Sequence, residues 1–175
     1  MKKIALATAG MLALGLATSA YAAGGGSGST STTKQCKSGE VYDKKTKSCK
    51  GASRGVVPDD DLVAEAVGLA YAGEHQWAAD LLVLAENPED PRILNYLGFT
   101  HRKMGKMEVA MDYYMRALAI DPDYNLARSY MAQGLVADGK IDEAVRHLDE
   151  IRARGGKDTW AYTMLANAIE GQSDY

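Results

Sequence analysis

The sequence predicts an all-α protein: a solenoid of about three helix hairpins, closed by a single capping helix and preceded by a small disulfide-stapled hairpin. Three observations carry that reading. Gly73, Gly105 and Gly139 recur at intervals of 32 and 34 residues; each is followed five residues later by an alanine (Ala78, Ala110, Ala144) and four after that by a bulky side chain (Leu82, Tyr114, Leu148). A fixed period of this length marks a chain built from stacked supersecondary units. Apolar patterns are also interrupted twice in the same manner, in "LAENPEDPRILNYLG" and "LAIDPDYNLARSYMA". Proline lacks an amide hydrogen, so it ends one helix and suits the first turn of the next. Finally, both cysteines, Cys36 and Cys49, lie ahead of the first unit and thirteen positions apart.

In chain order, Lys2 and Lys3 precede an apolar run from Ile4 to Leu16, and "SAYAA" follows with Ala20 and Ala22 before the expected cut. Residues 1–22 therefore read as a cleavable export signal of a bacterial chain. The run is shorter than the ~20 apolar residues that span a bilayer, and no cysteine stands at its end for lipid attachment. The expectation is a periplasmic or secreted protein with no stable membrane anchor after cleavage. Residues 23–34, "AGGGSGSTSTTK", have nothing to bury and read as a linker.

Residues 35–50 hold the two cysteines. An oxidising compartment favours a Cys36–Cys49 bridge, the one intramolecular pairing available. Val41 and Tyr42 suit a strand and "DKKTK" a turn, so a two-stranded hairpin is expected. Such a hairpin alone is marginal in water; the bridge contributes about 3 kcal/mol in the chain-entropy model. Neither a C-x-x-C spacing nor a nearby His points to metal or redox chemistry. The stretch resembles half of a peritrophin-type chitin-binding module, through Cys36, Gly39, Tyr42, Asp43 and Cys49. That resemblance implies polysaccharide contact through Tyr42; a stapled spacer or docking tag is the other reading. Residues 51–58 read as a second linker.

The repeats occupy 59–157, as units 59–90, 91–124 and 125–156. The middle unit resembles a tetratricopeptide repeat: Leu94, Leu97, Gly98 and His101, then Ala110 and Tyr114, then Pro122, fall at the family's spacing. Leu94 stands where the family has Trp, and His101 where it has Tyr. The third unit supplies Arg128, Met131, Ala132, Leu135, Ala144 and Leu148, with Gly156 in place of Pro. The first supplies Leu62, Ala66, Leu69, Ala78 and Leu82, with Glu65 where Leu is expected. Small residues such as Gly98 and Ala110 let two helices approach, and Gly105 turns the chain between them. One hairpin cannot bury its apolar face alone, so units stack. Residues 158–170 read as the capping helix, with Trp160, Met164 and Leu165 available to cover the last unit.

The resemblance implies a non-catalytic protein–protein interaction module whose partner, another protein or a peptide segment, lies in a concave groove. If Leu94, Leu97, Gly98 and His101 face inward, then Arg92, Asn95, Phe99 and Arg102 line an adjacent face, edged by Lys103 and Tyr124. The matching positions are Val63, Val67 and Ala70 in the first unit, with Tyr71 also assigned to the groove, and Leu126, Ser129, Gln133 and Val136 in the third. An apolar face not needed for packing suggests a binding surface. Val63 and Val67 stand where carboxylate-clamp members of the family would need polar residues. Arg92 and Arg102 beside Phe99 instead suit a segment with an apolar anchor and an acidic neighbour. Two alternatives accompany this reading: an envelope polysaccharide-binding protein using the hairpin, or a self-docking oligomeric scaffold. The second is suggested by charge. Residues 23–58 carry seven Lys/Arg against two acids, and residues 59–175 carry eleven against twenty-one. The acidic domain argues against a nucleic-acid partner, which requires clustered cations.

Catalytic signatures are not found. His75, His101 and His147 lie in different units, and no H-E-x-x-H, G-x-S-x-G or P-loop pattern occurs. Met104, Met107, Met111 and Met115 form a stripe whose thioethers suit Cu(I), but the same positions are where these repeats bury gap-filling side chains. No catalytic residue, metal or cofactor is expected.

Overall fold

The computed structural model describes residues 36, 37 and 39–171; the expected export signal (1–22) and the expected first linker (23–34) lie outside the described residues. The elements are β1 (Glu40–Asp43), β2 (Ser48–Gly51), α1 (Asp59–Tyr71), α2 (His75–Leu82), α3 (Pro91–Lys103), α4 (Met107–Ile120), α5 (Asn125–Ala137), α6 (Ile141–Ala153) and α7 (Trp160–Ile169). They form three helix hairpins in series, with α7 behind them and the β-hairpin in front.

The three hairpin turns are the same turn. Gly73, Gly105 and Gly139 take φ of 89°, 77° and 76°, the left-handed region that only glycine adopts without strain. In each, the residue after the glycine donates to a carbonyl five back: Glu74 to Leu69, Lys106 to His101 and Lys140 to Leu135, all at 2.9 Å. These bonds satisfy carbonyls that the helix end would otherwise orphan.

Helix starts follow local chemistry. Asp90 accepts from the Arg92 amide at 2.8 Å and Pro91 occupies the first turn of α3. At the other end of that unit, α4 stops at Ile120, Asp121 is extended, and Pro122 follows. Thr159 caps α7, its hydroxyl accepting from the Tyr162 amide at 3.3 Å. The second helix of the first unit is short: α2 has 8 residues where α4 has 14. The Asn87-Pro88 step bars continuation, and the Asp59 carboxylate ties the loop to α1 by accepting from the Glu86 and Asn87 amides, both at 2.9 Å.

Packing uses the expected small residues. A Cβ on Gly98 would lie 2.6 Å from the ring of fully buried Tyr114, so α3 and α4 meet there in van der Waals contact. Leu94, Ala110 and Ala117 are fully buried around this contact. Met107 and Met111 approach the bare face of Gly134 on α5, filling the gap as flexible side chains do. Met115 departs from the expected buried stripe: it is 57% exposed, because it sits on the solvent side of α4. His101 packs on Tyr113 with ring centroids 5.4 Å apart, and its Nδ1 lies 2.9 Å from the Leu97 carbonyl.

The hairpin pairs Val41 with Lys50 and Tyr42 with Cys49, antiparallel, and the Cys36–Cys49 bridge closes it. The Asp43 carboxylate organises the turn. It accepts from the Lys45 and Thr46 amides at 2.8 and 3.1 Å and pairs with Lys50, which holds its pKa well below the usual carboxylate range. The hairpin packs on α1 rather than standing free as a spacer. Val41 is 1% exposed within the same core as Leu62, and Lys44 meets Asp61 at 2.8 Å. Residues 51–58, expected as a linker, contribute buried Val57 to that core. The reason is economy of surface: the first unit has no preceding hairpin to cover α1, and the strand does so instead.

Candidate functional site

The inner face is formed by α1, α3, α5 and α7. Each of these helices contributes an aromatic side chain, and the rings make one continuous row. Tyr71 lies 5.7 Å from Phe99, Phe99 5.0 Å from Tyr130, and Tyr130 6.0 Å from Trp160. Tyr96 joins from the side, 6.3 Å from Phe99 and 6.5 Å from Tyr130. These tilted and edge-to-face contacts are the favoured ones for aromatic pairs. The Tyr71 and Tyr130 hydroxyls are 2.6 Å apart, linking α1 to α5 across α3. Only the ends of the row open widely to solvent: Tyr71 is 52% exposed and Trp160 48%.

This arrangement corrects the expectation that the Phe99 face stands free. Phe99 is 2% exposed, enclosed by Tyr71, His75, Tyr96 and Tyr130, with the Arg102 guanidinium 5.6 Å and the Lys103 ammonium 6.0 Å from its ring centre. Val63, Asn95, Ser129 and Gln133 are buried too. The physical cause is curvature. Helical spacing places these residues on the inner face, but the inner helices approach within ring contact and cover one another's central positions. Ser129 and Gln133 join α5 to α7: the Ser129 hydroxyl donates to the Ala161 carbonyl at 2.7 Å, and the Gln133 amide donates to Ser129 at 3.2 Å.

The charged and remaining residues sort by position. Arg92 is exposed, but it is held by Asp60 at 2.8 Å and Asp90 at 2.6 Å. Its guanidinium lowers the Asp90 pKa. Arg102 is half-buried between α3 and the Gly134 face of α5, beside Tyr114, whose hydroxyl burial pushes up to about 12 against the pull of Arg102. Burial, then Arg102, lowers the Lys103 pKa, and burial, then Lys103, lowers that of His75. Tyr124 is half-buried beside Asn95, its pKa raised to about 12 by burial. Val67 is half-buried on α1.

Sequence reasoning missed three members of the row. Tyr96 and Tyr130 are 34 residues apart, the repeat period itself, and that spacing was legible. Trp160 and Leu165 were expected to cover the last unit and do so, Trp160 on Tyr130 and Leu165 fully buried; the missed point is that Trp160 thereby extends the aromatic row. Metal chemistry has little purchase among the described residues: the cluster Cys36, Glu40 and Cys49 lies close enough to hold an ion, but its two sulfurs are bonded to each other.

Stacked helix hairpins around an aromatic inner face define the class, a helical-repeat solenoid. Residues 91–124 match the family described as tetratricopeptide repeat. The chain is 29% identical over 136 residues to the cell division cycle protein 16 homolog of Mus musculus, a match spanning 69% of this chain and 22% of that protein. Its fold is similar to that of the crystal structure of the Sgt2 TPR domain from Aspergillus fumigatus, with a TM-score of 0.56 at 22% identity, covering 68% of this chain and 81% of that one. The family match covers the middle helix hairpin, and the chain spans about a fifth of the length of the curated relative it matches.

Proposed function

We propose that the protein is a non-catalytic adaptor outside the cytoplasm that holds a segment of a partner protein across the aromatic row of its inner face. The observation that carries this reading is the continuity of the row over four helices with wide exposure at Tyr71 and Trp160. Solvent-facing aromatics on a rigid floor supply contact area at low entropic cost and are enriched among binding hot spots. Phe99 and Tyr130 act from below, fixing the exposed rings. Lys103, beside Phe99, suits an acidic residue next to an apolar anchor. An oxidising compartment is supported by the Cys36–Cys49 bridge and by the export-signal pattern of residues 1–22.

A photo-crosslinking amino acid at position 71 or 160 tests the reading against the same probe at Val109, an exposed position of α4. Peptides selected for binding to the intact chain should crosslink from 71 and 160 and not from 109. Crosslinking from 109 alone would reject the inner face. A second role fits the hairpin: packed on α1 through Val41 and Lys44, it serves as the N-terminal cap of its own solenoid. Tyr42 lies on the other face of the strand and is half-buried.

A further inference from the structure

A cleft of about 550 Å3 lies between α5 and α6, lined by Arg128, Glu143, Arg146, His147, Asp149 and Glu150. Its origin is visible in the repeat register. Arg128 stands 34 residues after fully buried Leu94, and His147 stands 34 after Tyr113, which packs on His101. Where the middle unit fills the seam between its two helices with apolar and aromatic groups, the third unit places a guanidinium and an imidazole. Arg128 is only 9% exposed. One of its terminal nitrogens donates to the Pro122 carbonyl at 2.8 Å, while its Nε and the His147 Nδ1 are buried with no hydrogen-bond partner. The Arg128 Nε–H is a donor in every protonation state, the His147 nitrogen in one tautomer, and buried polar groups of this kind ordinarily find a partner.

The charges lining the cleft are not balanced as a simple count suggests. Asp149 is paired with Arg152 at 2.8 Å and Glu150 with Arg154 at 3.3 Å. Among the described residues no carboxylate lies within ion-pair distance of Arg128 or Arg146. Arg154 is shared between Glu150 and Asp123; the two guanidinium groups without an ion-pair partner, Arg128 and Arg146, stand beside Glu143 and the half-shared Glu150. Burial first, then Arg128 and Arg146, lower the His147 pKa, with Glu143 and Glu150 opposing.

We propose that this cleft is an oxyanion site that takes a phosphate group, either free or esterified on a partner's side chain. Guanidinium forks match phosphate oxygens in geometry, and the charge of a phosphate, about −1.5 to −2 at pH 7 when esterified, matches two guanidinium groups where a carboxylate matches one. The site faces α6, so the proposal stands independently of the inner-face reading.

The test is titration of the full chain with sodium phosphate at constant ionic strength, followed by backbone amide shifts, with sodium acetate as the control and an O-phosphoserine tripeptide as a second arm. Saturable shifts in the Arg128 turn of α5 and around Arg146 and His147 are expected, absent or non-saturating with acetate. Tighter binding of the phosphopeptide than of inorganic phosphate assigns the group to a partner, the reverse order assigns it to the free ion, and either supports the site. Arg128→Leu restores the residue of the middle unit and should weaken binding by about tenfold or more; Arg146→Gln, at an exposed position, should do so without touching the core. Equal, unsaturated responses to phosphate and acetate, or phosphate affinity unchanged in Arg146→Gln, would overturn the proposal even if Arg128→Leu failed to fold.

Discussion

Gly98→Ala and Gly68→Ala are the same substitution in two helices, and the packing assigns them opposite signs. At Gly98 the added methyl would lie 2.6 to 2.9 Å from three ring atoms of Tyr114, a side chain with no exposed surface. Overpacking of this kind costs up to about 3 kcal/mol, and the gain in helix propensity returns about 1 kcal/mol. The expected net loss is about 2 kcal/mol. At Gly68, in exposed mid-α1, nothing lies within 4 Å of the new methyl, so only the propensity term acts and the variant gains about 1 kcal/mol. Urea unfolding followed by far-ultraviolet circular dichroism should therefore separate the two variants by about 3 kcal/mol, with equal slopes. If Gly98→Ala matched wild type or exceeded it, the close crossing of α3 and α4 at Tyr114 would be wrong, and with it the stacking register.

Other expectations concern the ends and the buried rings. Replacing Cys36 and Cys49 by Ser should remove about 3 kcal/mol in the chain-entropy model, and amide exchange should rise first in α1, which the hairpin covers; uniform exchange along the chain would contradict the capping role. Asp90→Ala should cost about 1 kcal/mol through loss of the α3 cap. Because Arg92 lowers the Asp90 pKa, its contribution is full above the unfolded carboxylate pKa and fades as pH falls below about 4, which urea midpoints measured across that range will show. Burial raises the pKa of Tyr96, Tyr114, Tyr124 and Tyr130, the second and third to about 12. A raised folded pKa means stability that is complete below pH ~10 and lost as pH climbs from there toward 12. Absorbance at 295 nm should show a late-ionising group of tyrosines that merges with the rest on unfolding.

The architecture was legible because it depends on local spacing. Period, turn glycines and Asp-Pro steps each act within a few residues, and they mark the hairpins that form. The inner face was half legible. Helical spacing put Phe99, Asn95, Ser129 and Gln133 on the correct side, yet burial there depends on the distance between α1, α3, α5 and α7, which no single helix encodes. The part of Trp160 in the row was hidden for the same reason: its partner Tyr130 is 30 positions away and on another helix. The hairpin's docking on α1 was hidden because an alternating strand of four residues does not reveal what its apolar side will meet.

Partner binding over the exposed ends of the aromatic row is the function proposed. It is tested most directly by the affinity of a selected peptide for wild type, Trp160→Ala and Val109→Ser, with helicity checked for each. Binding there predicts at least a ~30-fold loss in Trp160→Ala, a hot-spot loss of about 2 kcal/mol or more, and no change in Val109→Ser. Undiminished affinity in Trp160→Ala, or loss in Val109→Ser alone, would contradict it.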